Sequence, residues 1–286
     1  METSEILQKV RKIEIKTRGL SKHIFSGQYH SAFKGRGMTF SEVREYQYGD
    51  DIRFIDWNVT ARFGHPYVKV FEEERELTFM LLIDVSASND FGSTVRNKKD
   101  MITEIAATLA FSAIENNDKV GVIFFSSKIE KFIPPKKGRT HILRIIREMI
   151  DFTPQEKGTS ISEALRFFKN VQKRKCTAFL ISDFLDDSYE DALKIVAKEH
   201  DLNAIVINDT LEQAVPNVGI VRFYDNETGK TFTVDTSSKY NRDLYATAFA
   251  EREEYAHKVF MKYGMRHTSI ATKEDYVKPL ISLFSR

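Results

Sequence analysis

The chain has 286 residues, 42% hydrophobic and 29% charged, with 43 Lys and Arg against 41 Asp and Glu. That is the composition of a folded globular protein, long enough for one large domain plus an appendage or for two small ones, and it argues against disorder. The near balance of charge gives no footing for nucleic acid, and a single cysteine, Cys176, excludes an intramolecular disulfide framework and a cysteine metal cluster.

The first residues, METSEILQKVRK, lack the apolar core and cleavage site of a signal peptide. No window approaches the roughly 20 apolar residues needed to span a bilayer, so a soluble, cytoplasmic chain is expected. Ile6, Val10 and Ile13 space an amphipathic helix over 4–17 that Gly19 would end, and SGQYHSAFKGRG at 26–37 reads as loop. Residues 44–62 are denser: Asp50, Asp51 and Asp56 interleave with Arg44, Arg53 and Arg62 around Trp57, the sole tryptophan. That alternation predicts a folded loop held by Arg–carboxylate pairs, with Trp57 at least partly buried. The loop either docks the N-terminal segment on the main domain or offers a surface to a partner. HPYVKVFEE at 65–73 alternates as a strand leading into the next one.

That next stretch, LTFMLLIDVSAS from Leu77 to Ser88, is an unbroken apolar run ending in Asp84, Ser86 and Ser88. Such a run suits a strand covered on both faces. Ligands of open parallel sheets sit beyond the carboxyl ends of strands, where Asp84 stands. A carboxylate and two hydroxyls on alternate residues are hard oxygen donors, suited to Mg²⁺ first and to Mn²⁺ or Ca²⁺ as well. The same residues also serve as ordinary turn and N-cap residues.

Ile102, Ile105, Leu109 and Ala113 then define one helical face, KVGVIFF at 119–125 a strand, and 129–133 its short partner, stopped by Pro134 and Pro135. A helix follows over 140–151, then a loop at 157–162 opening a helix through Ala164, Leu165 and Phe168. A second apolar strand starts at Cys176, a buried small hydrophobe, and again ends in an acid, Asp183. A helix through Tyr189, Ala192 and Val196 leads to a strand at 202–207. Strand and helix alternate with the regularity of an α/β fold, a doubly wound, mostly parallel sheet with helices on both faces. Beyond it come a hairpin, 220–224 with 231–234, whose Gly229 is available for positive φ, and a helix over 240–263 with Tyr245, Phe249, Ala256, Val259 and Phe260 inward. Gly264 stops that helix, and a last strand at 267–271 and a closing helix with Leu280, Ile281 and Phe284 complete the chain.

Asp84, Ser86 and Ser88, then Thr159 after Gly158, then Asp183 after Ser182, are oxygen-rich points that parallel strands carry to one sheet edge. The ordered set resembles the von Willebrand factor type A domain and its metal-ion-dependent adhesion site. The resemblance implies a divalent ion held by Asp84, Ser86, Ser88, Thr159 and Asp183. One departure is Phe184, where many members of that family have Gly after the last acid. Arg-Glu-Tyr at 44–46, Gly-Asp-Asp at 49–51, Arg53, Ile-Asp-Trp at 55–57 and Ala-Arg at 61–62 resemble the signature of domain-of-unknown-function family fifty-eight. Proteins of that family often accompany MoxR-type AAA+ ATPases, which implies an adaptor or chaperone role. Many carry N-terminal membrane helices, which are not expected here.

The resulting expectation is an N-terminal appendage at 1–75 followed by a type A-like domain at 76–286. Its function would be non-enzymatic, a metal-dependent interaction module that binds a partner's carboxylate through Mg²⁺. A metal-dependent phosphatase or nuclease is the alternative. Against it, no two of the seven histidines stand at i, i+4, and neither a Gly-x-Ser-x-Gly elbow nor a phosphate-binding loop is present. A structural scaffold with a vestigial metal site is the third possibility. The oligomeric state is not legible.

Overall fold

The computed structural model describes residues 8, 11–14, 39–72, 77–90, 92–93, 96–227 and 229–284. Gln8 and residues 11–14 are helical; the rest of the helix expected over 4–17, and the loop expected over 26–37, lie outside the described residues. The chain divides into two compact units, His30–Leu77 and the remainder.

In the first unit, β1 (Thr39–Glu45) and β2 (Tyr67–Glu72) form an antiparallel pair. The strand expected at 65–73 therefore forms, but it pairs with β1, which the sequence did not announce, rather than entering the large sheet. Between them, α1 (Trp57–Phe63) starts at Asp56, whose carboxylate accepts from the N–H groups of Asn58 and Val59, and ends at Gly64 with φ 72°. Two of the expected ion pairs are present. Arg44 grips Asp50 through two nitrogens at 2.8 and 2.7 Å, and Arg53 meets Asp51 at 2.6 Å. Trp57 overturns its expectation, being 70% exposed. It is the first residue of a seven-residue helix that buries no side chain, and the segment is held by the Arg44–Asp50 fork and the Asp56 cap instead of by the indole.

In the second unit, six strands lie in the order β10-β7-β6-β3-β4-β5. They are β3 (Thr78–Asp84), β4 (Lys119–Phe125), β5 (Ile129–Lys136), β6 (Thr177–Ser182), β7 (Asp201–Asn208) and β10 (Arg266–Ala271). All neighbours are parallel except β4 and β5. β3 and β6 are buried almost throughout, as their uniform apolarity requires. Alternate residues of β3 serve the two faces. Met80 and Leu82 join a cluster with Leu165 and Phe168 of α4 (Ile161–Val171), Leu193 of α5 (Glu190–Glu199) and Phe260 of α7 (Lys239–Lys262). Phe79 instead stacks on Phe179 at 6.0 Å, and Phe179 meets Phe284 of α8 (Val277–Phe284). Each such buried side chain stabilises the fold by about 1.5–3 kcal/mol. Cys176 lies in the first cluster, its thiol pushed up to about 12 by burial and then by Asp201.

Burial on α2 (Lys98–Glu115) reaches beyond the one face read from its sequence, because α3 (Arg139–Asp151) packs against it. On α7 the reverse holds: Ala256, Val259 and Phe260 are buried, whereas Tyr245 is 41% exposed, since the first half of this long helix lies outside the main core. At the edge of the sheet, β4 and β5 approach so closely that a Cβ on Gly121 would stand 2.7 Å from Met80 Sδ and 2.9 Å from Pro135 N. Glycine is required there. A short helix, α6 (Thr210–Gln213), follows β7, and the expected hairpin forms from β8 (Ile220–Tyr224) and β9 (Thr231–Asp235). Gly229 takes φ 70° at its tip.

Candidate functional site

β3 and β6 are parallel neighbours, so their carboxyl ends come side by side. Ser182 Oγ donates to Asp84 Oδ2 at 2.6 Å, and the Ser86 N–H donates to Asp84 Oδ1 at 2.9 Å. The Ser86 and Ser88 hydroxyls are 3.0 Å apart. The loop before α4 is drawn to this edge through its backbone, Ala87 N–H donating to the Lys157 carbonyl at 2.9 Å. Thr159 follows two residues on, and Ser160 caps α4. Asp183 sits just past β6, its Oδ2 accepting from Lys98 Nζ at 2.9 Å; the same ammonium meets Glu212 of α6 at 2.6 Å. All five positions singled out in the sequence thus lie on three loops at one sheet edge.

The turn after Asp183 explains the departure at Phe184. That residue has φ 55°, the left-handed region that glycine occupies freely. The strain of about 1–3 kcal/mol is opposed by the ring, which is buried between Phe260 at 5.0 Å and Tyr189 at 5.7 Å. Phe184 N–H donates to Ser182 Oγ at 3.1 Å, so the strained residue also orients the hydroxyl that holds Asp84.

Charge defines this edge. Asp84 is 1% exposed, and burial first, with the Asp183 carboxylate second, pushes its carboxyl up to about 7. Burial pushes the Lys98 ammonium down, yet Asp183 and Glu212 together outweigh it and leave the group raised and cationic. Lys98 meets Asp183 and Glu212, while Asp84 and Glu227 face Asp183, so among the described residues the acids at this edge outnumber this one ammonium. Beside Asp84, Asn89 Oδ1 is buried with no hydrogen-bond partner among the described residues. Among the described residues no three of His, Cys, Asp and Glu are grouped to hold a metal. A cation here would rest on a mixed set of carboxylates and hydroxyls, and hard oxygens with surplus negative charge fit a hard divalent ion.

Two residues at this edge carry no sequence signal. Lys98 is wholly buried, although a lysine opening a helix reads as solvated. Glu227, in the hairpin tip, accepts from Thr159 Oγ1 at 2.8 Å, and its neighbour Asn226 donates to the Ala87 carbonyl at 3.3 Å. Turn chemistry was the only meaning its local sequence offered.

A family model described as "Protein of unknown function DUF58" matches residues 42–255. The uncharacterized protein Rv1480 of Mycobacterium tuberculosis strain H37Rv is 29% identical over 278 residues, 95% of this chain and 86% of its own. Among solved structures, BatB from Bacteroides thetaiotaomicron, a conserved hypothetical protein, gives a TM-score of 0.49 at 14% identity, over 73% of this chain and 97% of its own. Proximal thread matrix protein 1 from the mussel byssus, with a zinc-occupied MIDAS motif, gives 0.38 at 20% identity, over 47% of this chain and 38% of its own. No described helix is long and apolar enough to cross a membrane.

Proposed function

Since the chain belongs to the family described as "Protein of unknown function DUF58", and its larger unit is built on a mostly parallel six-stranded sheet, we propose that it is a type A-like, non-enzymatic, metal-dependent protein-interaction module. The partner is a MoxR-type AAA+ ATPase met in the cytoplasm, and the module begins near residue 76, after an appendage carrying the Gly-Asp-Asp and Ile-Asp-Trp motif. Asp84, Ser86, Ser88, Thr159 and Asp183 would hold a divalent cation, Mg²⁺ first and Mn²⁺ or Ca²⁺ also suited, which when bound supplies a Lewis-acidic bridge to a carboxylate of the partner.

The observation that carries this reading is the pairing of Asp84 and Asp183 at one buried edge, with Asp84 raised to about 7 by burial and by its neighbour. Even with Lys98 on Asp183, Asp84 stays raised, and a further positive charge here would favour both carboxylates ionised. Ser182 and the Ser86 N–H fix both oxygens of Asp84 in place, while Lys98 holds Asp183. Ser86 and Ser88 hydrogen-bond each other, and among the described residues no histidine is bonded to either, so the pair does not form a serine–histidine nucleophile. This favours binding over hydrolysis.

Asp84→Ala tests the reading. The variant leaves the Ser182 hydroxyl and the Ser86 N–H without their acceptor, at about 1–3 kcal/mol, and leaves the apolar strand behind them intact. Calorimetry should show Mg²⁺ binding by the native protein and none by the folded variant, and capture of the AAA+ ATPase should fall with it. Circular dichroism controls for folding. Undiminished capture by the folded variant would mean that no cation forms the bridge.

A further inference from the structure

We propose that Glu227 is a ligand in cis: the tip of the β8–β9 hairpin holds the place of the partner's carboxylate, and an acidic side chain on a tight turn of the partner must displace it. The proposal rests on the reading of this edge as a divalent-cation site. Two adjacent residues of the tip reach two different loops of the edge, Glu227 engaging the Thr159 hydroxyl at 2.8 Å and Asn226 the Ala87 carbonyl at 3.3 Å. The carboxylate faces Asp183 and Asp225, whose repulsion Lys98 offsets only in part. Its hydrogen bond engages Thr159, one of the hydroxyls that would hold the cation, so it stands beside the residues of the proposed site.

The hairpin is built to come away as a piece. Among the described residues, β8 and β9 pair only with each other and add no strand to the large sheet. Ile220, Tyr224 and Phe232 are 76, 58 and 50% exposed, so little apolar burial holds it down. Its tip is nevertheless tied to Asp225 by two hydrogen bonds. Asp225 accepts the Glu227 N–H on Oδ1 at 2.9 Å and the Gly229 N–H on its carbonyl at 2.8 Å. At the base, Gly219 has φ 83°, and its carbonyl takes both the N–H and the hydroxyl of Thr236, at 2.8 and 2.6 Å. An acidic tip on an exposed two-stranded arm is a tethered competitor, and a tethered ligand at an effective concentration in the millimolar range depresses the apparent affinity of any ligand in trans.

The probe is a fluorescently labelled peptide of residues 222–231 of this chain, added with Mn²⁺ to the native protein, Glu227→Ala and Asp84→Ala, with a second peptide carrying Gln in place of the glutamate. Glu227→Ala should bind the first peptide at least about tenfold more tightly than the native protein, lose it on addition of EDTA and ignore the Gln peptide. Hydrogen exchange across 220–235 should be faster by a similar factor in Glu227→Ala. Equal peptide affinity, or unchanged exchange, with Mn²⁺ still bound by the native protein and lost in Asp84→Ala, would overturn the cis ligand and leave the cation site standing. Absence of Mn²⁺ binding in both the native protein and Glu227→Ala would overturn the cation reading and this proposal with it.

Discussion

Arg44 with Asp50, and Lys98 with Asp183 and Glu212, are both cations gripped by carboxylates, yet water reaches the first pair while Lys98 and Asp183 are shut away from it. The Arg44 and Asp50 side chains are 38 and 21% exposed; those of Lys98 and Asp183 are 0 and 2% exposed. In the first unit the pair sits where solvent screens it, and its value is geometric: a planar fork with two contacts fixes the path of the chain between β1 and α1. In the second unit the charges have lost their hydration, and each depends on its partners. The same chemistry is a clip in one place and an obligation in the other.

The comparison breaks most visibly at Lys98. Lys98→Met keeps the volume but strands Asp183 inside the protein and takes the partner from half-buried Glu212, and urea denaturation should show a loss of about 3–5 kcal/mol. A loss below about 1 kcal/mol would mean that the cluster is hydrated in solution. Phe184→Gly sharpens the picture beside it. Relieving about 1–3 kcal/mol of backbone strain competes with losing a buried ring worth about 3–5 kcal/mol, so packing wins and the variant should be less stable by about 2 kcal/mol. A stabilised variant would show that the ring contributes little against Phe260 and Tyr189. The smallest effect belongs to Arg44→Ala, which should leave the unfolding midpoint nearly unchanged in 0.5 M salt, where charges are screened within a few ångströms. Its signature is in acid. Arg44 first, and the Gln47 N–H second, hold the Asp50 carboxyl below its ordinary value of 3.8. The pair's stabilisation is therefore present above that value and lost as pH falls through the lower folded one, so the native and variant proteins should converge in that range.

What the sequence disclosed divides along the same line. β3, β6 and the mostly parallel order were legible because burial on both faces demands uniform apolarity, a signal that needs no partner to be read. Asp84, Ser86, Ser88, Thr159 and Asp183 could be singled out because strand ends have a fixed place in such a sheet. The role of Phe184 became plain only with its φ angle, although the missing glycine was visible beforehand. Lys98 and Glu227 were opaque, since each acquires its meaning from a contact 85 or 68 residues away that no periodicity encodes. Trp57 misled for the opposite reason: a sole tryptophan among charges suggests a hidden anchor, but a short helix with a strong cap needs none. β1 escaped because a seven-residue strand in a lone pair shows little alternation of its own.

The double proline at the end of β5 has a consequence for how copies of this chain behave when crowded. Pro134 and Pro135 offer no N–H to a strand arriving from outside, and Lys131 and Lys136 place charge along the same margin. Gly121 lets the chain bulge inward where they stand. A newly made chain with its sheet half assembled thus presents a margin that cannot template another, and the six strands are protected on that side from growing into a fibre.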